Sequence, residues 1–209
     1  MRERTSEDIQ RLENTELIKS ILGDDFLSFK YGELQVSEHR AHTVAKCGLD
    51  VFSGDGLYDH KQISAEGHGL VDTLFNAMLI EYAQDCVSTA VLKVHEFYIF
   101  VDKEDLQRRK REGLSGADAL VQVCLVIDNG DNGLIPFRES SRSVINAMAS
   151  VVFSAMEFFI NSERAVHKLR ECIEDARKRN RSDLVELYTF KMVELVKNAS
   201  YVESLREDA

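Results

Sequence analysis

The spacing of apolar residues changes period twice along this chain, in the same order each time. From Arg40 to Phe52, Ala41, Thr43, Ala45, Cys47, Leu49 and Val51 alternate with His42, Lys46 and Asp50, the two-residue period of a half-buried strand. The segment SGDG, Ser53 to Gly56, then predicts a hairpin turn into a second strand near Tyr58 to Ala65. After Gly67-His68-Gly69 the apolar positions become Val71, Leu74, Phe75, Met78 and Tyr82, the spacing of a helix of about four turns. Val87 to Val101 is rich in Val, Ile, Phe and Tyr and reads as a long strand, followed by the charged stretch DKEDLQRRKREG. Ala119 to Ile127 reads as another strand with DNGDNG as its turn, and Leu134 to Phe137 leads into a helix carrying Val144, Ile145, Met148, Val152, Ala155, Met156 and Phe159.

Short motifs recur in step with that order. Leu74-Phe75-Asn76-Ala77-Met78 matches Val144-Ile145-Asn146-Ala147-Met148, and SGDGL before the first helix matches NGDNGL before the second. Matched motifs in matched order point to an internal duplication. A strand-then-helix unit leaves a sheet face uncovered, and two such units can cover each other about a pseudo-twofold axis. The expected fold is therefore α+β: a strand-strand-(strand)-helix unit with antiparallel sheets, present twice, with helical extensions at both ends.

Those ends have their own patterns. Thr5, with Asp8 three residues on, reads as the cap of a helix over residues 6–22 that carries Ile9, Leu12, Ile18, Ile21 and Leu22. At the other end Ala165, Val166, Leu169, Cys172, Ile173 and Ala176 form one amphipathic stripe. Leu184, Tyr188, Met192, Leu195, Val196, Ala199 and Val202 form a second, with the basic RKRNR, Arg177 to Arg181, between them. The organisation expected is an N-terminal helical arm over 1–36, a central module over 37–162 and a C-terminal helical extension over 163–209.

Charge narrows the function classes. Lys plus Arg number 26 against 36 Asp plus Glu, a formal charge of −10, which disfavours nucleic acid or an anionic membrane as partner. The apolar run Ala147 to Ile160 is broken by Ser150, Ser154 and Glu157 and is short for a bilayer span, and the charged N-terminus has no signal-peptide core. A cytoplasmic protein is expected. The four cysteines, Cys47, Cys86, Cys124 and Cys172, contain no CxxC pair and read as buried free thiols, with no cofactor and no metal implied. His39 and His42 are three apart in what reads as a strand, where they would face opposite sides rather than share a metal.

With these segments in place, the sequence is similar to a known family. AEGHGLVDTLFNAM, Ala65 to Met78, resembles the Gly-x-Gly-Pro-Val-Asp-Ala-Leu segment of the allosteric domain shared by 2-isopropylmalate synthases and citramalate synthases. SGADALVQVCLVI, Ser115 to Ile127, resembles the Gly-Thr-Asp-Ala strand entry of that domain, and IPFRESSRSVINAMASVV, Ile135 to Val152, its last helix. The resemblance implies a dimerising module in leucine-type biosynthesis that binds a branched-chain amino acid, leucine or isoleucine, as an allosteric effector near the Gly-x-Gly turn. The effector residues implied are Gly67, His68, Gly69, Leu70, Val71, Leu74, Ala119 and Ile135. Glycine admits close approach of a ligand, free N–H groups at the helix start suit a carboxylate, and the aliphatic residues would wall an apolar pocket. His68 and Leu70 depart from the family pattern, in which a small polar residue and proline are common. The family's catalytic barrel takes roughly 250 residues, so no enzyme activity and no catalytic residues are expected of this chain.

Each sharp reading has a plainer rival. Asp72, in the first turn of its helix, could meet an effector's ammonium group, though stabilising the helix start is the commoner use. Arg108 to Arg111 could bind an anion, but Asp102, Glu104, Asp105 and Glu112 flank them and a solvated loop fits better. Ser140, Ser141 and Ser143 precede a helix, where serines cap. The reading reached is a stand-alone regulatory module, homodimeric, that senses a branched-chain amino acid or docks on a separate catalytic chain. The alternative is a structural scaffold that dimerises and no longer binds an effector.

Overall fold

The alternation around Thr43 to Val51 becomes the central strand of a sheet. A computed structural model describes residues 6–54, 56–130 and 133–196; among them the chain is α+β, with two three-stranded antiparallel sheets and five helices. The first sheet has the order β1 (Leu27–Glu38), β2 (Thr43–Ser53), β3 (Gly56–Gly67), and the second β4 (Lys93–Val101), β5 (Val121–Asp128), β6 (Leu134–Ser141). The helices are α1 (Ser6–Leu22), α2 (Leu70–Tyr82), α3 (Lys103–Arg111), α4 (Val144–Lys178) and α5 (Ser182–Val196).

Register sorts the side chains. In the first sheet Phe29 pairs with Val51, Tyr31 with Leu49 and Cys47 with Ile63, so one face carries the apolar row. The opposite face carries Lys30, Asp50 and His60 in a line across the three strands. There His60 Nδ1 lies 2.6 Å from Asp50 Oδ1 and Gln62 lies 3.1 Å from His60 Nε2, a polar surface open to solvent. The second sheet buries Val123, Leu125 and Phe137. Its opposite face differs in chemistry, since Tyr98 pairs with Cys124 and Phe100 with Gln122.

Helix α4 is the core of the molecule. From Ala147 to Ile160 it is buried nearly all round, as expected where a helix is apolar on every side. It touches β1, β5, β6, α1, α2 and α5. By length and composition α4 would suffice to cross a membrane, yet 61 % of its most apolar window is buried inside the protein. Each fully buried Val, Leu or Met here contributes about 1.5–3 kcal/mol relative to exposure.

Polar residues on α4 tie irregular backbone to the core. Glu163, itself buried, accepts Val87 N–H at 3.0 Å, Ser88 N–H at 3.1 Å and the Ser88 hydroxyl at 2.6 Å. Those bonds hold Val87–Val91 in a 3-10 turn, so the expected strand over Val87 to Val101 begins only at Lys93.

Three further expectations need correction. The arm over 1–36 is helical only in its first part, since Leu27 to Glu38 is a strand of the first sheet. The charged stretch from Asp102 is helix α3, capped by the Asp102 carboxylate, which accepts the N–H groups of Glu104 and Asp105. Helix α4 runs unbroken through residues 162 and 163, so the first C-terminal stripe continues the module's own helix. Thr5, Asp55, Asp131, Asn132, Ala199 and Val202, which entered the expected caps, turns and final stripe, lie outside the described residues.

Candidate functional site

The Gly67-His68-Gly69 turn joins the end of β3 to the start of α2. Gly69 has φ 92° and ψ 161°, a region open in practice to glycine alone. A Cβ on Gly67 would lie 2.6 Å from Asp72 Oδ2 and 3.1 Å from Thr73 Cα, so glycine is required here by contact rather than by dihedral.

The donors of this turn are engaged within the chain. His68 N–H donates to Asp72 Oδ2 at 2.9 Å, and Gly69 N–H donates to Thr43 Oγ1 at 3.0 Å. The Thr43 hydroxyl in turn donates to Glu38 at 2.8 Å, and Thr73 Oγ1 donates to Gly69 O at 2.7 Å. Asp72 thus serves the helix start, and two of the N–H groups sought for an effector carboxylate already have acceptors.

The eight residues expected to form one pocket fall into two groups. Gly67, His68, Gly69, Leu70, Val71 and Leu74 share the β3–α2 junction, where Leu70, Val71 and Leu74 are buried in the core and His68 is exposed. Ala119 and Ile135 belong to the second sheet. Ala119 is buried after the turn Gly116–Asp118, and Ile135 pairs opposite Ile127.

Among the described residues, two cavities are lined by other side chains. One, of about 690 Å³, lies where β4 meets α3, between Phe100, Leu106, Lys103, Gln122 and Ser140. The other, about 670 Å³, is an open groove along α5 lined by Arg177, Arg181, Val185, Phe190 and Val193.

No protein-family model matches this chain. No curated protein matches it either.

Electrostatics around α3 account for the charged stretch. Asp105 is buried and accepts Leu120 N–H at 2.9 Å, with Arg108 and Arg142 beside it. The Leu120 hydrogen bond and then the two guanidinium groups hold its carboxyl below the usual aspartate value. Arg142 Nη1 also donates to Asp118 O at 2.6 Å, and Arg109 Nε donates to Ser115 O at 2.9 Å. Arg108 and Arg109 are therefore structural ties, whereas Lys110 and Arg111 face solvent. The clue in the sequence was the run of strong helix formers around Leu106, with an aspartate at the cap position.

His39 and His42 do not face opposite sides. They occupy the turn between β1 and β2, with rings stacked at 4.6 Å and His42 Nδ1 3.6 Å from Glu66. Among the described residues no three His, Cys, Asp or Glu side chains converge as a metal site. Ser143 caps α4 by accepting Asn146 N–H, the use expected of serines at that place.

Proposed function

We propose that this chain is a regulatory and dimerisation module, related to the allosteric domain of 2-isopropylmalate and citramalate synthases and acting as a cytoplasmic homodimer. The observation that carries the reading is the matched construction of its halves: three antiparallel strands, a two-residue turn, then a helix. Gly67 ends β3 and Leu70 starts α2, as Ser141 ends β6 and Val144 starts α4. An internal duplication in that register pairs Gly67-His68-Gly69 with Ser141-Arg142-Ser143. The LFNAM and VINAM motifs sit one helical turn out of it, because Leu74 is the fifth residue of α2 and Val144 the first of α4.

The test is the mass of the full chain in solution by light scattering, together with calorimetry against leucine, isoleucine, valine and their keto acids. A monomer would remove the dimerisation half of the reading. No heat at millimolar ligand would leave a scaffold without an effector.

Effector binding is the second reading, and the cavity between β4 and α3 favours it over the Gly67–Leu74 turn. Phe100 and Leu106 offer an apolar wall, and Gln122, Ser140 and Lys103 offer polar groups at its margin, a combination suited to a small zwitterion with an aliphatic side chain.

A further inference from the structure

The links between the first two strands of the two sheets differ. Residues 39–42 suffice to join β1 to β2, whereas residues 102–120 join β4 to β5 and include α3. The cavity of about 690 Å³ lies beside that added helix. Its floor is one cross-strand row, Phe100, Gln122 and Ser140, and its wall is the first turn of α3, with Lys103, Glu104 and Leu106.

A helix is ordinarily fixed by an apolar face packed on the core. Helix α3 has one apolar residue, Leu106, whose Cδ1 would stand 3.1 Å from a Cβ placed on Gly116, a single knob in a glycine notch. The other ties are polar, and they converge on Asp105. This buried carboxylate accepts Leu120 N–H at 2.9 Å, pairs with Arg108 on its own helix and lies 3.5 Å from Arg142 Nη1. Arg142 also donates to Asp118 O at 2.6 Å and directly precedes Ser143, the cap of α4. At its far end α3 is left through Gly113, in the left-handed region at φ 70°. Segments held by few apolar contacts open at a lower free energy than the core, and a helix hung between two short links can swing as a unit.

We infer that α3 is a lid over this cavity, latched by Asp105 to Arg142 and held shut by a small amino acid with an aliphatic side chain. Lys103 on the lid supplies a cation for the ligand's carboxylate, and Gln122 and Ser140 on the sheet supply acceptors for its ammonium group. The aliphatic part rests on Leu106. A ligand that touches both lid and sheet makes its full set of contacts only in the closed arrangement, and so shifts the population towards it. Arg142 reports the lid to the start of α4, because it meets Asp105 only while α3 is shut. The inference rests on the effector reading for the occupant and adds its gate.

The experiment is hydrogen exchange of the full chain, read by mass spectrometry, for wild type, Arg142→Met and Asp105→Asn, each with and without millimolar leucine, isoleucine or valine. We expect α3 amides to exchange ahead of the α4 core in the wild type, and about tenfold faster again in R142M and D105N while α4 stays unchanged. Whichever amino acid gives heat in calorimetry should slow α3 exchange in the wild type. Exchange of α3 that coincides with that of α4, or that both variants leave unchanged, overturns the lid. Heat of binding with no slowing of α3 overturns it too and leaves the effector reading standing. No heat from any of the three, with α3 opening as expected, overturns the effector reading and supports the latched lid.

Discussion

The Asn161 side chain pairs with the Leu27 backbone as a neighbouring strand would. Its Oδ1 accepts Leu27 N–H at 2.9 Å, and its Nδ2 donates to Leu27 O at 2.7 Å. Asn161 is fully buried, so neither backbone group has easy recourse to water once the side chain is shortened. Asn161→Ala is expected to lower stability by about 2–4 kcal/mol, two unsatisfied buried groups costing roughly 1–3 kcal/mol each. Urea unfolding checks this, and an unchanged midpoint would show that Asn161 does not hold the edge.

Burial gives a second acid on α4 a pH signature. Glu157 accepts Phe29 N–H at 2.9 Å, but desolvation outweighs that bond and raises its carboxyl above the ordinary value of 4.5. Burial raises Glu139 in the same sense. A raised folded value means that the folded state binds more protons than the unfolded chain just above pH 4.5, so stability falls as pH rises through that window and levels off once both states are ionised. Glu157→Gln keeps an acceptor for Phe29 and has nothing to ionise. Its stability should fall less between pH 4.5 and neutrality, leaving the variant at least as stable as the parent at neutral pH. Asp25 and Asp183 are lowered by Lys168 and Arg181, and their contributions are lost as pH falls below 3.8, clear of this window. Equal pH slopes for parent and E157Q in urea titrations would exclude Glu157 as the source.

The β3–α2 turn separates two reasons for keeping glycine. At Gly69 the dihedral pair excludes asparagine as well as alanine, so G69A and G69N should each cost about 1–3 kcal/mol. Asp72→Ala removes the acceptor of His68 N–H and should cost about 0.5–2 kcal/mol, as loss of a helix cap does. Thermal unfolding of the three variants decides. G69N matching the parent would mean that the turn adopts an ordinary left-handed conformation.

Thiol reactivity reports on the core. Burial pushes Cys47 up to about 11 and Cys86 up to about 12, the latter helped by Glu163. Cys124 is buried as well, whereas Cys172 is half-buried. Because the thiolate is the reactive form, a maleimide should label Cys172 first in the native protein and the other three only on unfolding. Peptide mapping after a short exposure tests the order, and early labelling of Cys47 or Cys86 would contradict it.

Which elements were legible in the sequence follows from local regularity. Strand β2 keeps a clean alternation and β5 is a nearly continuous apolar run, so both could be read. In β1 the apolar positions Leu27, Phe29 and Tyr31 are followed by Leu34 and Val36, and the register shift between Tyr31 and Leu34 reverses the parity, which hid the strand. Helix α3 has one apolar residue, Leu106, so no amphipathic stripe marked it. The break placed at residue 162 had no glycine or proline to justify it, since α4 contains neither. At the candidate site, the glycines of the turn were legible because their need is local. The acceptor for Gly69 was not, because Thr43 lies 26 positions away in sequence, and only strand pairing brings it there.

The unbroken course of α4 limits how this protein can vary in length. One residue added to or removed from a helix turns everything beyond it by about 100°. Within Val144–Lys178 such a change would swing Asn161 off β1, Glu163 off the Val87–Val91 turn, or Leu169 and Ile173 out of the core. Strand-connecting turns can drift in length without that penalty. Insertions and deletions should therefore accumulate in the turns and spare α4, making its residue count the molecule's fixed measure.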